Sequence, residues 1–388
     1  MAGKRAPDTS VEKGGRVACT RQSTDVFIVG GGPAGLAAAI AARQKGFQVI
    51  LADGATPPIE KPCGEGMMPE TLAALRALGV EFNPGEGHKF RGICFVQEGA
   101  RVYADFPQGP GIGLRRPLLH ERLVARAEEC GVQLLWKKPV SGIDAEGVQL
   151  PHGKIYARWI VGTDGQGSRV RRWSGLETTK RSKHRHTSRR RYRVKPWSNY
   201  MEIYWGSQAQ AYVTPIGSAE VCIVVMSERV ENVSFDRALC ELPELKEKLG
   251  GAERSGRERG AVSLMRSLHK VQRGNVALVG DASGGVDAIT GEGLRLAFRQ
   301  AFALADAMVV SDLKQYERAH RELARRPILM ANLMLWLGRN PRIRRRVIRA
   351  LEGKPELFAR LLATHVGQGT SGELLSTGAL LGWRLLAI

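Results

Sequence analysis

Short apolar runs alternate with helix-periodic stretches at the start of the chain. DVFIV (25–29) predicts a buried strand, LAAAIAARQKG (36–46) an Ala-rich helix that ends at Gly46, and FQVILAD (47–53) the next strand. A strand, a helix and a second strand in this order are typical of the first unit of a parallel, Rossmann-like sheet.

Further along, apolar and polar positions alternate with the period of two that is typical of half-buried strands. FRGICFVQ and RVYADF (90–106) predict a hairpin, and YMEIYW (200–205), AQAYVTPIG (209–217) and AEVCIVVMS (219–227) predict three successive strands. We therefore predict an α/β fold with an antiparallel β-sheet inserted into a Rossmann-like domain, followed by C-terminal helices. The predicted parts are a disordered basic N-terminus (1–24), the Rossmann-like domain (25–90, 110–180 and 265–325), the inserted sheet (90–110 and 181–264) and a helical region (326–388).

The composition limits the classes of protein to consider. The 388 residues include 58 Lys and Arg against 38 Asp and Glu, a formal net charge of +20, which favours an anionic partner such as nucleic acid, a membrane surface or an acidic protein. Residues 1–24 contain no apolar signal core, and no apolar run approaches the length of a membrane span, so we expect a cytoplasmic protein. Six scattered cysteines without a CxxC pair predict reduced thiols and no metal site.

The stretch GGGPAG (30–35) forms a G-x-G-x-x-G motif between the first strand and the first helix. Gly30 permits a tight turn, Gly32 lets a pyrophosphate approach the backbone, and Gly35 lets the helix pack on the strand. Pro33 and Ala34 complete the turn, where the helix N-terminus favours a phosphate. Asp53 ends the second strand, where an acid holds an unphosphorylated ribose, as in FAD or NAD. The alternative is a glycine turn that binds nothing.

Two later stretches also end a strand in a polar turn. In IVGTDGQGSRVRR (160–172), Asp164 and Gly165 either contact a cofactor or cap the helix that follows. In VALVGDASGGVDAITGEGLRLAF (276–298), Gly280 and Asp281 follow a buried strand, and Gly291 and Gly293 begin a helix whose N–H groups suit negative charge on a flavin ring. A plain helix cap is the alternative for Asp281.

Taken together, the three motifs resemble those of FAD-dependent oxidoreductases of the aromatic hydroxylase and geranylgeranyl reductase superfamily, over roughly residues 25–310. The resemblance implies a Rossmann-like FAD-binding domain with an inserted substrate sheet. It assigns Gly30, Gly32, Gly35 and Asp53 to the ADP half of FAD, and Asp164, Gly280, Asp281 and Gly293 to the rest of the cofactor. Arg116, in RRPLLHERL, matches the arginine that this superfamily places near the flavin.

KPCGEGMMPETLAALRALGV (61–80) resembles a subgroup of prenyl reductases and related hydroxylases with a CGEG or CGGG element. By this resemblance Cys63, Gly64 and Gly66 pass close to the flavin ring, although a lone cysteine is also typical of a buried apolar position. The chain departs from both the Y-x-W-x-F-P element of the reductases and the W-x-W-x-I-P element of halogenases. Tyr212 and Thr214 stand at these positions and suit a more polar, phenolic substrate, or Tyr212 is simply a half-buried strand residue.

The resemblance implies an FAD-dependent monooxygenase that uses NAD(P)H and oxygen to hydroxylate an aromatic or polyketide-like molecule through a flavin C4a-hydroperoxide. The alternative is a geranylgeranyl-reductase-like flavoprotein that reduces C=C bonds of a prenyl or lipid substrate. A third hypothesis, from another class, is a basic membrane-binding or nucleic-acid-binding protein that retains FAD only as a relic.

Two basic regions bear on partners. KRSKHRHTSRRRYRVK (180–195) carries nine Lys or Arg and no acid, and we expect it to be a solvated loop, because few aromatic residues and no nucleic-acid motif accompany it. The alternative is an attractor for anionic lipid or an acidic carrier. PILMANLMLWLG (327–338) and RNPRIRRRVIRAL (339–351) predict a basic amphipathic surface, consistent with peripheral membrane contact.

Overall fold

The computed structural model describes residues 22–177, 183–228 and 234–368, together with Ser376 and Leu380. In chain order the strands are β1 (Ser23–Val29), β2 (Val49–Ala52), β3 (Gly66–Met67), β4 (His88–Phe90), β5 (Gly92–Gln97), β6 (Ala100–Asp105), β7 (Gly111–Gly113), β8 (Gln133–Leu135), β9 (Gly142–Ile143), β10 (Gly147–Leu150), β11 (Gly153–Gly162), β12 (Lys183–Arg193), β13 (Met201–Trp205), β14 (Ala209–Gly217), β15 (Glu220–Ser227), β16 (Glu253–Arg254), β17 (Arg259–Ser267), β18 (Gln272–Arg273), β19 (Val276–Leu278) and β20 (Gly284–Gly285). The helices are α1 (Pro33–Gln44), α2 (Pro69–Ala77), α3 (Arg116–Glu129), α4 (Arg169–Trp173), α5 (Phe235–Cys240), α6 (Pro243–Leu249), α7 (Gly293–Val309), α8 (Leu313–Arg339), α9 (Pro341–Glu352) and α10 (Pro355–His365).

The first sheet contains the predicted strand–helix–strand start. β19, β11, β1, β2 and β8 lie side by side in that order and run parallel, with the central strands buried on both faces. Helices α1, α3 and α7 pack together beside it, and their small residues let α1 approach closely. The α/β prediction with a Rossmann-like domain is confirmed.

The second sheet has nine strands and follows the order β20-β17-β12-β15-β14-β13-β5-β6, with β16 beside β12. Most neighbours are antiparallel, as predicted, but β13 pairs with β5 in parallel because the β5–β6 hairpin joins the edge of the sheet from an earlier part of the chain. A small sheet of β3, β7 and β4 packs against β14 of the second sheet and against α2.

The C-terminal helices cover one face of the second sheet. Apolar side chains of β5, β13, α9 and α10 form one buried cluster, in which the rings of Phe95 and Phe358 lie 4.7 Å apart. The boundary predicted at residue 326 falls inside α8, which continues through Pro327 without a break.

Two expectations from the sequence are corrected. β1 begins at Ser23, which pairs with Tyr156, so residues 23 and 24 do not belong to a disordered N-terminus; residues 1–21 lie outside the described residues. The basic run is not a solvated loop, because Lys183–Arg193 forms β12 in the middle of the second sheet, with four of its arginines buried. Buried carboxylates make this placement stable, as described below. Residues 180–182 of the run lie outside the described part of the chain.

Candidate functional site

A cleft of about 290 Å³ lies between the two large sheets, where the strands of the first sheet end. Its walls come from the glycine turn before α1, the loop before β3, the start of α7 and the faces of β14 and β15. The predicted site residues that line it are Gly32, Pro33, Ala34, Cys63, Gly64, Gly66, Arg116, Gly165, Tyr212, Thr214, Gly280, Asp281, Gly291 and Gly293. Segments separated by up to about 260 residues therefore meet at one surface.

The turn between β1 and α1 is tightly packed on one side and open on the other. A Cβ at Gly35 would lie 1.9 Å from the carbonyl oxygen of Gly30, so α1 packs directly on the turn. By contrast, no atom of the described chain lies within 4 Å of a Cβ placed at Gly32, which is the N-cap of α1. The backbone N–H groups at this helix start thus face an open space suited to a phosphate.

Asp53 supports this turn from the end of β2. Its carboxylate accepts hydrogen bonds of 2.6 Å from the Gly31 N–H and 2.7 Å from the Ala55 N–H. The buried His120 holds the other side, since its Nε2 donates to the Gly31 carbonyl at 2.8 Å; burial lowers the pKa of His120, which keeps the ring neutral. Trp136 packs on the same glycine and would clash with any side chain there.

Asp164 and Gly165 are adjacent but face different ways. The Asp164 carboxylate accepts hydrogen bonds from the N–H groups of Arg169 (2.7 Å) and Val170 (3.2 Å) at the start of α4. This carboxylate therefore caps a helix, whereas Gly165 lines the cleft beside the Lys61 ammonium. A contact of Asp164 with the cofactor remains a prediction.

Asp281 is the only acid among the described residues that line the cleft, and Lys61 and Arg116 are the only cations. The Asp281 side chain is accessible from the cleft, although the walls of the cleft surround it. Desolvation raises the pKa of the Asp281 carboxyl, and the charges of Lys61 and Arg116 oppose part of that rise. The described lining of the cleft thus combines a net positive charge with a single carboxylate, that of Asp281.

The start of α7 forms the wall opposite α1, and the two helices pack against each other. Gly291 has φ +66°, which turns the chain into the helix, and a Cβ at Gly293 would meet no described atom within 4 Å. Two helix N-termini therefore point into one cleft, which favours negative charge at both places.

The loop that carries Cys63 and Gly64 is held by Glu65. Glu65 is buried, has φ +61°, and accepts a 3.0 Å hydrogen bond from the backbone N–H of Arg116. Its carboxylate also forms an ion pair with Arg191 of β12, with a 2.8 Å bond from Nε. This pair fixes the loop against the second sheet, and Cys63 and Gly64 line the cleft.

The side chains of β12 follow the strand period of two. Arg185, Arg189 and Arg191 point to one side, where they pair with Asp287, Glu60 and Glu65 in loops that border the cleft. On the other side Arg190 pairs with Asp236 and Glu258. The positive run is therefore an internal scaffold, which explains why it is buried without losing its charge partners.

Several buried polar atoms at the cleft have no hydrogen-bond partner among the residues described. They include the Tyr212 hydroxyl, Thr214 Oγ1, and Nε and Nη1 of Arg116. Burial raises the pKa of Tyr212 well above its usual value, so its phenol is neutral at physiological pH. Because unpartnered buried polar groups are costly, these atoms indicate a site for a polar ligand.

A second cavity, of about 260 Å³, adjoins the cleft. It lies between β5, β13 and the helices α8, α9 and α10, and its lining is almost entirely apolar. Met201 lines both spaces, and its sulfur packs against Gly66 of the glycine-rich loop. The two spaces therefore share a wall at Met201.

Comparison with known proteins shows the family of this chain. A family model described as an FAD binding domain matches residues 23–311. The chain belongs to this family. It is an FAD-dependent oxidoreductase, as the resemblance of its motifs implied.

The curated relatives of this flavoprotein include menaquinone reductase from Mycobacterium tuberculosis, 28% identical over 326 residues, which cover 75% of this chain and 78% of the relative. Digeranylgeranylglycerophospholipid reductase 1 from Methanothermobacter thermautotrophicus is 28% identical over 77% of this chain and 82% of its own. Among solved structures, a triple mutant of a flavin-dependent brominase shares the fold with a TM-score of 0.77 at 19% identity, covering 93% of this chain and 99% of its own.

The residues present fit FAD. Two open helix starts and a positive lining suit its pyrophosphate, and the unpartnered atoms of Arg116, Tyr212 and Thr214 offer polar contacts for the remainder of the ligand. Sequence reasoning missed Glu65, Lys61, His120 and Trp136, and it assigned the arginines of β12 to solvent. Of these residues, only Glu65 could have been singled out from the sequence, because it is a carboxylate between the two glycines of the CGEG element.

The described residues contain no cluster of His, Cys, Asp and Glu that would hold a metal ion. None of the helices in the described ranges is long and apolar enough to cross a membrane.

Proposed function

We propose that this flavoprotein reduces C=C bonds in the prenyl chain of a lipid. The observation that carries the proposal is the apolar cavity beside the cleft, which suits a prenyl chain better than an aromatic ring with polar substituents. Two relatives whose names describe reductases of menaquinone and of a digeranylgeranyl glycerophospholipid support it. Prenyl reduction, which the sequence offered as the alternative to hydroxylation, is therefore the preferred hypothesis.

In this proposal the ADP half of FAD lies against Gly30, Gly32, Gly35 and Asp53. Pro33, Ala34, Gly165 and Arg116 line its path, Gly280 and Asp281 hold the ribityl chain, and Cys63, Gly64, Gly291 and Gly293 surround the ring. When bound there, FAD would supply two electrons as a hydride to one carbon of the double bond, and NAD(P)H would restore them. The other carbon takes a proton.

We assign the supply of that proton to Tyr212, whose hydroxyl is neutral, buried and without a partner among the described residues. Thr214 lies two residues along the same strand face and also lines the cleft. The apolar wall of the neighbouring cavity excludes water from the double bond. The proposal places the enzyme in the cytoplasm, peripheral to the membrane that contains its substrate.

Hydroxylation of an aromatic molecule is the second candidate. The unpartnered hydroxyls of Tyr212 and Thr214 favour it, because they could position a phenolic substrate. It requires oxygen as a substrate, whereas prenyl reduction does not, so the two candidates differ in a measurable way.

The test is anaerobic turnover. The FAD-loaded protein is reduced and mixed without oxygen with menaquinone or a geranylgeranyl lipid, and flavin absorbance and product mass are followed. Prenyl reduction predicts return of the oxidised flavin spectrum and two added hydrogen atoms per double bond. Persistent reduced flavin with every prenyl substrate, together with oxygen-dependent addition of an oxygen atom to a phenol, would establish hydroxylation instead.

A further inference from the structure

The apolar cavity opens toward an exposed stripe on α8. Leu333 and Trp336 line the cavity and are at the same time 42% and 48% exposed. Leu329, one turn before Leu333, is 57% exposed and does not line the cavity. Because these residues are spaced four and three positions apart, they lie on one side of the helix. Large apolar side chains exposed together in this way mark an interaction site.

Basic residues extend the same stripe. Arg325 and Arg326 are exposed and lie four and three positions before Leu329, so they continue along its side of α8. We call Arg325, Arg326, Leu329, Leu333 and Trp336 the α8 stripe. Within the described ranges, neither arginine forms an ion pair, so both charges are available to a partner.

The next helix adds further positive charge beside the cavity. Ile343 and Val347 of α9 line the cavity, and Arg346 lies one turn after Ile343 on the exposed side. The exposed residues of α9 also include Arg342, Arg345 and Arg349, whereas its inward residues are mostly apolar. An apolar stripe with a tryptophan and a basic surround is the combination that binds at the interface of an anionic bilayer.

We propose that the α8 stripe docks on the surface of an anionic phospholipid bilayer. Leu329, Leu333 and Trp336 enter the boundary between headgroups and acyl chains, and Arg325, Arg326 and Arg346 contact the headgroup phosphates. The mouth of the apolar cavity then faces the membrane, so a lipid chain reaches the cleft without crossing water. This last step rests on the proposed function, whereas docking itself does not.

Charge favours the bilayer over two other occupants of the stripe. A second copy of the chain would bring one set of arginines against another. Residues 369–388 carry one acid, Glu373, and one base, Arg384, so they offer no net negative charge to match these arginines. An anionic bilayer supplies both an apolar layer and a dense array of negative charge.

The test is flotation of the full-length, FAD-loaded protein with vesicles of phosphatidylcholine alone or mixed with phosphatidylglycerol. We expect binding to the mixed vesicles and a loss of binding as salt is raised, because screening weakens the arginine contacts. Leu329→Ser should weaken binding about tenfold, since an apolar side chain no longer enters the bilayer. The double variant Arg325→Gln/Arg326→Gln should weaken it about tenfold or more.

The matched controls are Val310→Ser and Arg193→Gln, at positions outside the α8 stripe. Val310 is 58% exposed, and the side chain of Arg193 is 63% exposed. Both should bind like the wild type. Absence of binding to anionic vesicles overturns the proposal, as does binding that Leu329→Ser and the arginine variant leave unchanged. Concentration-dependent dimerisation that Leu329→Ser abolishes, without vesicle binding, assigns the stripe to a second copy.

Activity separates this proposal from the proposed function. Leu329→Ser should reduce turnover with substrate in vesicles while leaving turnover with a detergent-dispersed, short-chain prenyl substrate unchanged. Vesicle binding through the stripe without any prenyl reduction would refute the proposed function and leave the docking intact. Prenyl reduction without vesicle binding would refute the docking and leave the proposed function intact.

Discussion

Arg191 and Glu65 are separated by 126 residues in the sequence and form a buried ion pair beside the Cys63–Gly64 loop that lines the cleft. Burial by itself lowers the pKa of Arg191, but the hydrogen bond and charge of Glu65 outweigh it and raise that pKa. Glu65 also has a left-handed backbone conformation, which is unfavourable for a residue with a side chain. The pair therefore holds the Cys63–Gly64 loop in a conformation that it would not adopt alone.

Breaking this pair should be costly. We expect Arg191→Met to lower the free energy of unfolding by about 3–5 kcal/mol, because it leaves the buried charge of Glu65 unpaired, and Glu65→Gln to cost less, because Arg191 keeps its 3.2 Å ion pair with Glu60. The double variant should lose less than the sum, since neither charge remains. Urea unfolding measures all three, and Arg193→Gln, which breaks an exposed pair with Glu253, should change stability by about 1 kcal/mol or less. Additive losses would contradict the coupling.

Two glycines of the first turn should respond in opposite ways. Gly35→Ala should destabilise the fold by about 3 kcal/mol or more, because its Cβ would overlap the Gly30 carbonyl. Gly32→Ala should retain wild-type stability, since its Cβ meets no described atom, but should bind FAD more weakly because the methyl group occupies the space proposed for the pyrophosphate. Thermal unfolding and flavin titration distinguish them. Full FAD affinity in Gly32→Ala would exclude that assignment.

Asp281 should be needed for flavin binding. Asp281→Asn should weaken FAD binding about tenfold or more, because a hydrogen bond to a charged acceptor is lost within the cleft. The measurement is the dissociation constant from fluorescence titration, together with the FAD content after purification. Asp306→Asn, on the exposed side of α7, is the matched control and should retain wild-type affinity. An Asp281→Asn protein that purifies with full flavin would refute the role.

His320 should make stability depend on pH. Burial, and to a lesser extent the charge of Arg321, lower the pKa of His320 from 6.5 to about 4. The Ser283 hydroxyl donates to the Gly280 carbonyl, so His320 Nε2 donates to Ser283 Oγ at 2.9 Å, and the lowered pKa keeps the ring neutral. The unfolded chain then binds more protons between about pH 6.5 and 4, and stability falls as the pH falls through that range.

The loss should be at most about 3 kcal/mol between those limits. The check is urea unfolding of the wild type and of His320→Gln at several pH values from 7 to 4, because the difference between the two proteins isolates this residue. The wild type should lose more stability than the variant on acidification. Parallel curves would show that His320 does not carry the dependence.

The glycine-rich turns and the order of elements could be predicted from the sequence because they depend on neighbouring residues. The structure contains three of these local patterns. They are a helix start after Gly30-Gly31-Gly32, a second helix start at Gly293, and the strand periodicity of β14 and β15. The same patterns carried the resemblance to the FAD-dependent oxidoreductases. They also limited the prediction, since a turn that ends in Asp164 looks the same whether its carboxylate caps a helix or faces a ligand.

Only the tertiary structure decided where the positive charge lies and what shape the apolar cavity has. Nine basic residues in sixteen positions predict solvent exposure when no partner is visible, and the partners of β12 lie in distant segments, such as Glu65 and Asp287. The apolar cavity likewise forms where β5, β13 and three C-terminal helices meet. Pairing between distant residues and the shape of enclosed space depend on the packing of whole elements, which local sequence patterns do not encode.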